Sequence, residues 1–445
     1  MDRETETDAG AGGGTGLEAA AGTDTGKGTT GAVAGLRPTP PVVDRRPDRA
    51  IAAGGMIAAA ALLLAGVLAT LLPADARRGI WLPVHLGIAA ASSVAIAAML
   101  PFFTATLAVA SPVRPAVRTL GVTLTLVGIL AVAVGIAWGP SGLAVAGGVT
   151  FTAGVATVAY AALRPLARST SPRRAVLGIA AAAALIDVAC GALLGTLYAA
   201  GATRILADWG LLKPAHAWLN VLGFVGVTIV TTLVHLWPTV IGTRIEGGRS
   251  GAGTGFGWVV GPPIVAAGFV IGSDFVARTG AMVTLTGAAS LAAYGIARWR
   301  VRGRWTLDLP WHRTAVGHLA AGMAWGAGGA AAASCLVLYH GASPDAWSSA
   351  VLVALGVGWI AQTIVGAWTH LIPTVGPGGP ALHAAQRVVL GRAWWLRLAA
   401  WQAGTLLVVT GAVAEVVGAI VLGGVVVGLT SVASVGLLVL AIRRR

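Results

Sequence analysis

About twelve stretches of the chain are apolar over the ~20 residues that a helix needs to cross a bilayer. They lie at approximately 50–73, 82–109, 115–138, 141–163, 175–201, 214–241, 255–277, 279–297, 314–340, 346–374, 394–416 and 418–442. Lipid offers no water to unpaired N–H and C=O groups, so segments of this length and polarity fold as helices that bond their own backbone. Pro, Gly and Arg punctuate nearly every gap between them. With 56% hydrophobic and 10% charged residues and a mean hydropathy of +0.82, the chain lies outside the range of soluble domains. The expected fold class is all-α: a polytopic membrane protein of about twelve transmembrane helices.

Charge orients these helices. The formal net charge of +14 would suggest nucleic acid in a soluble protein, but in this chain it reads as basic loops facing the cytoplasm, with no nucleic-acid partner. With the N-terminus inside, 25 of the 30 Lys and Arg residues fall on the inner side. Only Arg77, Arg78, Arg204, Lys213 and Arg278 fall outside. A wrong helix count would scramble that split. The reading is a cytoplasmic (inner) membrane protein with both termini in the cytoplasm.

The chain also repeats itself. "GFVGVTIVTTLVHLWPTV" from Gly223 aligns without a gap with "GWIAQTIVGAWTHLIPTV" from Gly358, placing His235 over His370 and Pro238 over Pro373. The openings "DRAI", "RRAV" and "HRTAV" and the proline signatures at Pro83, Pro214 and Pro344 recur in step. These mark three tandem, pseudo-symmetric four-helix units, 49–168, 173–304 and 312–445, whose symmetry axis lies along the membrane normal. The second, sixth and tenth segments carry the shared polar signatures and are expected to line the centre. Residues 1–48, rich in Gly, Thr, Ala and acid with no periodic apolar face, read as a disordered cytoplasmic tail without the features of a signal peptide.

Eight histidines carry most of the chemical interest. His85, His216 and His340 fall at the outer ends of segments. His235, His318 and His370 fall in the inner leaflet, His312 at the inner interface and His383 in an inner loop. His216 and His235 are about 28 Å apart along one helix at 1.5 Å per residue, so no single metal joins them. In the outer layer, imidazoles on two facing helices have the chemistry to sandwich a haem iron, with Trp81, Trp218 and Trp347 against the porphyrin. The plainer alternative is an aromatic belt at the membrane interface. In the inner layer, His235 and His370 are expected to face one another near the axis. Pro238 and Pro373 each free a carbonyl one turn back, leaving a polar notch for a haem edge, metal, quinone headgroup or ion, or for structural capping by the histidine itself.

Among acids, Asp187 lies mid-helix and is a functional candidate by default. Glu415 is weaker, and Asp274 is explained by Arg278 four residues later. His318 and His340 join Asp187 as intramembrane polar candidates. Cys190 and Cys335 sit in apolar runs, form no close-spaced motif and read as packing residues.

The three four-helix groups and the histidine at the outer start of the second helix resemble subunit I of the haem-copper oxidase superfamily. "HAWLNVLGFVG" from His216 is similar to the His-Ala-His…Gly-Phe signatures of its NnrS-like and nitric-oxide-reductase-like relatives. The chain also resembles the membrane modules of actinobacterial copper-oxidase proteins. The likeness covers 49–445 as architecture and only two or three short stretches as motif. It departs from the family in three places. The seventh segment lacks the copper-binding histidine pair, the tenth has only His370, and Trp218 replaces the second histidine of His-Ala-His. The resemblance therefore implies a divergent member without an oxygen-reducing centre, keeping one haem or metal site carried over onto His85 and His216. The implied cofactor is haem b, held non-covalently because no Cys-x-x-Cys-His occurs, with copper as the other metal. A cupredoxin or other redox protein is the implied partner besides the lipid bilayer. Two functional classes stand: a haem- or copper-binding protein with a redox or nitric-oxide/copper-response role, and a transporter whose polar centre takes a small substrate or ion.

Overall fold

The computed structural model describes residues 46–202, 209–244, 249–303, 309–376 and 378–443. Among these the chain is all-α, without strands, and twelve helices are long and apolar enough to cross a membrane. In chain order the helices are α1 (Arg46–Ala69), α2 (Trp81–Leu107), α3 (Pro115–Ala137), α4 (Ser141–Ala167), α5 (Arg174–Ala199) and α6 (Trp209–Val240). They continue as α7 (Arg249–Ile271), α8 (Asp274–Arg300), α9 (Pro310–His340), α10 (Pro344–Val375), the short α11 (Pro380–Leu390), α12 (Trp394–Val413) and α13 (Val417–Arg443). The face at which α1 begins is called near, and the one at which it ends, far.

Helix ends follow local chemistry. Pro115, Pro310 and Pro380 open α3, α9 and α11 at positions where a missing N–H costs nothing. Gly272, at φ +66°, stops α7. Ser273 N then donates back to Gly268 O at 2.8 Å, and its hydroxyl accepts from Val276 N to start α8. The sequence reading extended the seventh span to 277. This glycine and serine end it six residues earlier and place Asp274 in the first turn of α8, where Arg278 pairs with it at 3.6 Å.

Three other expectations need correction. The expected tail, 1–48, lies outside the described residues except at its end, where Arg46–Asp48 already belong to α1. Buried Asp48 there pairs with Arg118 of α3. His383, expected in a loop, lies on α11, whose buried face is Gln386, Val389 and Leu390. Cys190 and Cys335 are exposed on the outer surface rather than packed inside, as a weakly polar thiol can be where the outside is lipid.

Three pairs of consecutive helices, α3 with α4, α7 with α8 and α12 with α13, form hairpins held by small residues. Gly257 of α7 meets Gly287 of α8 so closely that a Cβ on Gly257 would stand 2.6 Å from Gly287 Cα. The same close approach joins α3 to α4 at Gly154 and Thr125, and α12 to α13 at Gly404 and Gly423. Lipid provides no hydrophobic drive between helices, so dispersion contact made possible by small residues does the holding.

Helices α2, α6 and α10 occupy the centre. In their most apolar windows α2, α6 and α10 have 72%, 61% and 67% of residues buried, against 28–50% for the other nine spans. Each also changes to a π-helical stretch in its far half: His85–Ala90, Trp218–Gly226 and Ala354–Ala361. These stretches meet one another. Gly356 faces Ile88, and Gly226 faces the Trp359 ring. A π turn widens the helix locally and re-aims the side chains beside it.

Gly257→Ala should lower the thermal midpoint by forcing two backbones apart, a cost of about 1–3 kcal/mol. Gly424→Ala, where a Cβ meets nothing within 4 Å, should leave it unchanged or slightly raised. Equal midpoints for the two variants would contradict the glycine-packed hairpins.

Candidate functional site

His85 enters the far-face site from the start of the π turn in α2, and His216 from α6 just before its own π turn. Their rings lie 6.4 Å apart, centre to centre, with planes 24° from parallel. Trp81, one turn earlier, stacks on His85 at 4.0 Å and 19°. His85 Nδ1 lies 2.8 Å from Trp81 O, and His216 Nδ1 lies 2.9 Å from Gly191 O on α5. A carbonyl oxygen only accepts, so each Nδ1 must be the donor, and in the neutral ring this leaves Nε2 bare. The amide nitrogen of Asn220 also stands 3.4 Å from His216 Nδ1, but it donates to His216 O at 2.7 Å, the shorter and better-made bond. Each imidazole is thus fixed in one tautomer and one orientation, with an unprotonated Nε2.

The wall behind His216 is one face of α5. A Cβ at Gly195 would lie 3.3 Å from His216 Cε1, and one at Gly191 would collide with the Asn220 amide. One turn deeper on the same face, Asp187 lies against Gly223 in the π stretch of α6. Asp187 is 3% exposed, and its Oδ2 has no hydrogen-bond partner. A polar line therefore runs inward from the histidine pair through Asn220 to an isolated carboxyl at mid-membrane depth.

The other expected residues are placed differently. His340 is exposed at the far end of α9, with Tyr339 as its ring neighbour at 4.8 Å, so it does not join the far-face pair. Trp218 is fully buried and meets Trp347 edge-on at 6.4 Å. In the near half, His370 has Trp311 and His312 of α9 as its ring neighbours, each at 5.9 Å. Among the described residues His235 is not one of them. His370 thus packs against α9. His235 Nδ1 bonds Thr231 O at 3.0 Å. His318 is fully buried, edge-on to Trp401 of α12.

The proline notch in α6 has an occupant that the sequence reading missed. Pro238 cannot bond Val234 O, and the Tyr294 hydroxyl of α8 donates to that carbonyl at 2.8 Å. The notch is closed by a tyrosine rather than left for a ligand. Asn220 and Gly191 were also missed. The available signal was the four-residue spacing of Asp187, Gly191 and Gly195, which puts all three on one helix face.

Among the described residues no group of three or more His, Cys, Asp and Glu side chains is placed to hold a metal ion. No protein family's model matches the chain, and no curated protein matches it either.

Tyr294→Phe should cost about 1–3 kcal/mol by stranding Val234 O. A thermal-shift assay would show this as a lowered midpoint, and an unchanged midpoint would mean that the notch is satisfied by something else.

Proposed function

We propose that this protein is a haem-binding electron-transfer protein of the cytoplasmic membrane, with His85 and His216 as the axial ligands of a non-covalently held b-type haem. The observation that carries this reading is the spacing and tautomer of the pair. Two metal–nitrogen bonds of about 2 Å, with ~1 Å from each nitrogen to its ring centre, separate two imidazoles by about 6 Å across one metal. The rings here stand 6.4 Å apart, and both Nε2 atoms are unprotonated. Ligand number separates haem from a bare ion. A zinc or copper site usually draws three or four side chains, whereas haem iron needs at most two because its macrocycle supplies the rest. Among the described residues no group of three or more such side chains is placed to hold a bare ion. The spacing and the donor type support this reading.

When bound, the haem would supply a one-electron carrier, held by the His85 and His216 imidazoles. The residues of the chain hold and orient it. The Trp81 and Gly191 carbonyls fix the two tautomers, as outer-shell acceptors do for metal-bound histidines. The Trp81 ring keeps the His85 imidazole from turning. The resemblance to NnrS-like and haem-copper oxidase proteins agrees with this reading, as do the missing histidines of α7 and α10 that an oxygen-reducing centre would need. The 25 to 5 division of basic residues supports a cytoplasmic near face. A cupredoxin or other redox protein would then dock at the far face. Transport of a small substrate or ion is the second reading, favoured by Asp187, whose buried Oδ2 has no partner.

An absorption spectrum with metal analysis on the same purified sample tests the first reading. Wild type should show a Soret band. His85→Ala and His216→Ala should each abolish or shift it, and His340→Ala should not. A colourless, metal-free protein expressed with ample haem and copper would remove the redox reading and leave transport, while copper without haem would reassign the metal.

Orientation has its own test. With Cys190 and Cys335 replaced, Asp345→Cys should label from outside the cell and Ala384→Cys only from the cytoplasm. Labelling of both from one side would contradict the assigned topology.

A further inference from the structure

A second group of buried polar side chains lies between α9, α10 and α12, apart from the histidine pair. His318 of α9 and Gln362 of α10 are both 0% exposed. Neither nitrogen of the imidazole and neither end of the amide has a hydrogen-bond partner. Thr363 Oγ1 has none either. Nearby Thr369 and Thr405, by contrast, bond the carbonyl four residues back. Helix packing places the three residues along one seam between α9 and α10. A Cβ at Gly366 would lie 3.1 Å from His318 Cβ, and one at Gly322 would lie 2.7 Å from Thr363 Oγ1. Gln362 stands one turn before Gly366 on the same side of α10. Trp401 of α12 closes the third side, edge-on to His318 at 5.6 Å, with its own Nε1 donating to Val357 O at 3.2 Å.

The donor and acceptor inventory selects the occupant. A neutral imidazole brings one donor and one acceptor, an amide brings both kinds, and so does a hydroxyl. A cation would satisfy only the acceptors and an anion only the donors. Leaving five such atoms bare at membrane depth is strongly unfavourable, because neither protein nor lipid compensates them. What satisfies both kinds is a small neutral molecule that donates and accepts, and buried waters characteristically make about three such bonds. We propose that His318, Gln362 and Thr363 form a buried polar cluster that binds water, bridging α9 to α10. The cluster does not depend on haem at the far face.

Infrared difference spectra of wild type minus Gln362→Met, taken in H2O and in D2O, test the cluster directly. A hydrated Gln362 amide exchanges, so its side-chain band should shift on transfer to D2O. The thermal midpoint of Gln362→Met should fall, because the apolar side chain strands His318 and the water. His318→Phe should fall likewise. Either a band that does not shift or a raised midpoint in Gln362→Met would overturn the proposal, since relief of an unsatisfied amide is what a dry seam would show.

Discussion

The absence of water in the bilayer core is the constraint on which the rest of this structure depends. Every polar group at that depth must find its partner inside the protein. The backbone meets the demand by forming helices, and the helices associate through close contact at glycines, because lipid gives apolar side chains no reason to leave it. The places where this accounting is disturbed are the informative ones. Pro238 deprives Val234 O of its partner, and Tyr294 restores one. The π turns of α2, α6 and α10 loosen the ladder at the centre, and beside them sit the histidine pair, Asn220, Asp187 and Gln362.

Two layers of imidazoles result, with different local chemistry. At the far face both Nδ1 atoms are held by carbonyls, so the rings cannot turn and the free nitrogens are uncommitted. These fixed tautomers are what the proposed ligand pair rests on. In the near half, His370 shares its surroundings with Trp311, His312 and Arg387, the last lying over the Trp311 ring at 5.0 Å and donating to Pro373 O at 3.2 Å. Arg387 there caps the end of α10, where helix carbonyls lack partners. The near layer thus caps a helix end, whereas the far pair bonds carbonyls within α2 and between α5 and α6.

Much of this could be read from the sequence, because its physics is local. Apolar length located all twelve spans, mostly to within about four residues, and proline, glycine and serine set most boundaries. The gap-free repeat and the polar signatures identified α2, α6 and α10 as central, which their burial bears out. That His85 lies beside His216 and not beside His340 was also legible, since the recurring proline signatures mark α2 and α6 as matching helices. Rotation about the helix axis was not. That His370 packs beside Trp311 and His312 is set by the rotation of α10 about its own axis, which no periodicity in an apolar chain signals. The Tyr294 bond and the Gly191 carbonyl were invisible for a related reason: each joins residues on different helices whose contact only the packing defines.

The central claim is that two imidazoles, those of His85 and His216, meet on one metal. Electron paramagnetic resonance of the oxidised protein, grown with 15N-histidine, tests it most directly, because nitrogen couplings count the histidines bound to iron. The result expected is a low-spin ferric signal coupled to two histidine nitrogens, with one lost in His85→Ala and one in His216→Ala. A haem signal that keeps both couplings when these two residues are replaced, or that shows none in the wild type, would contradict it.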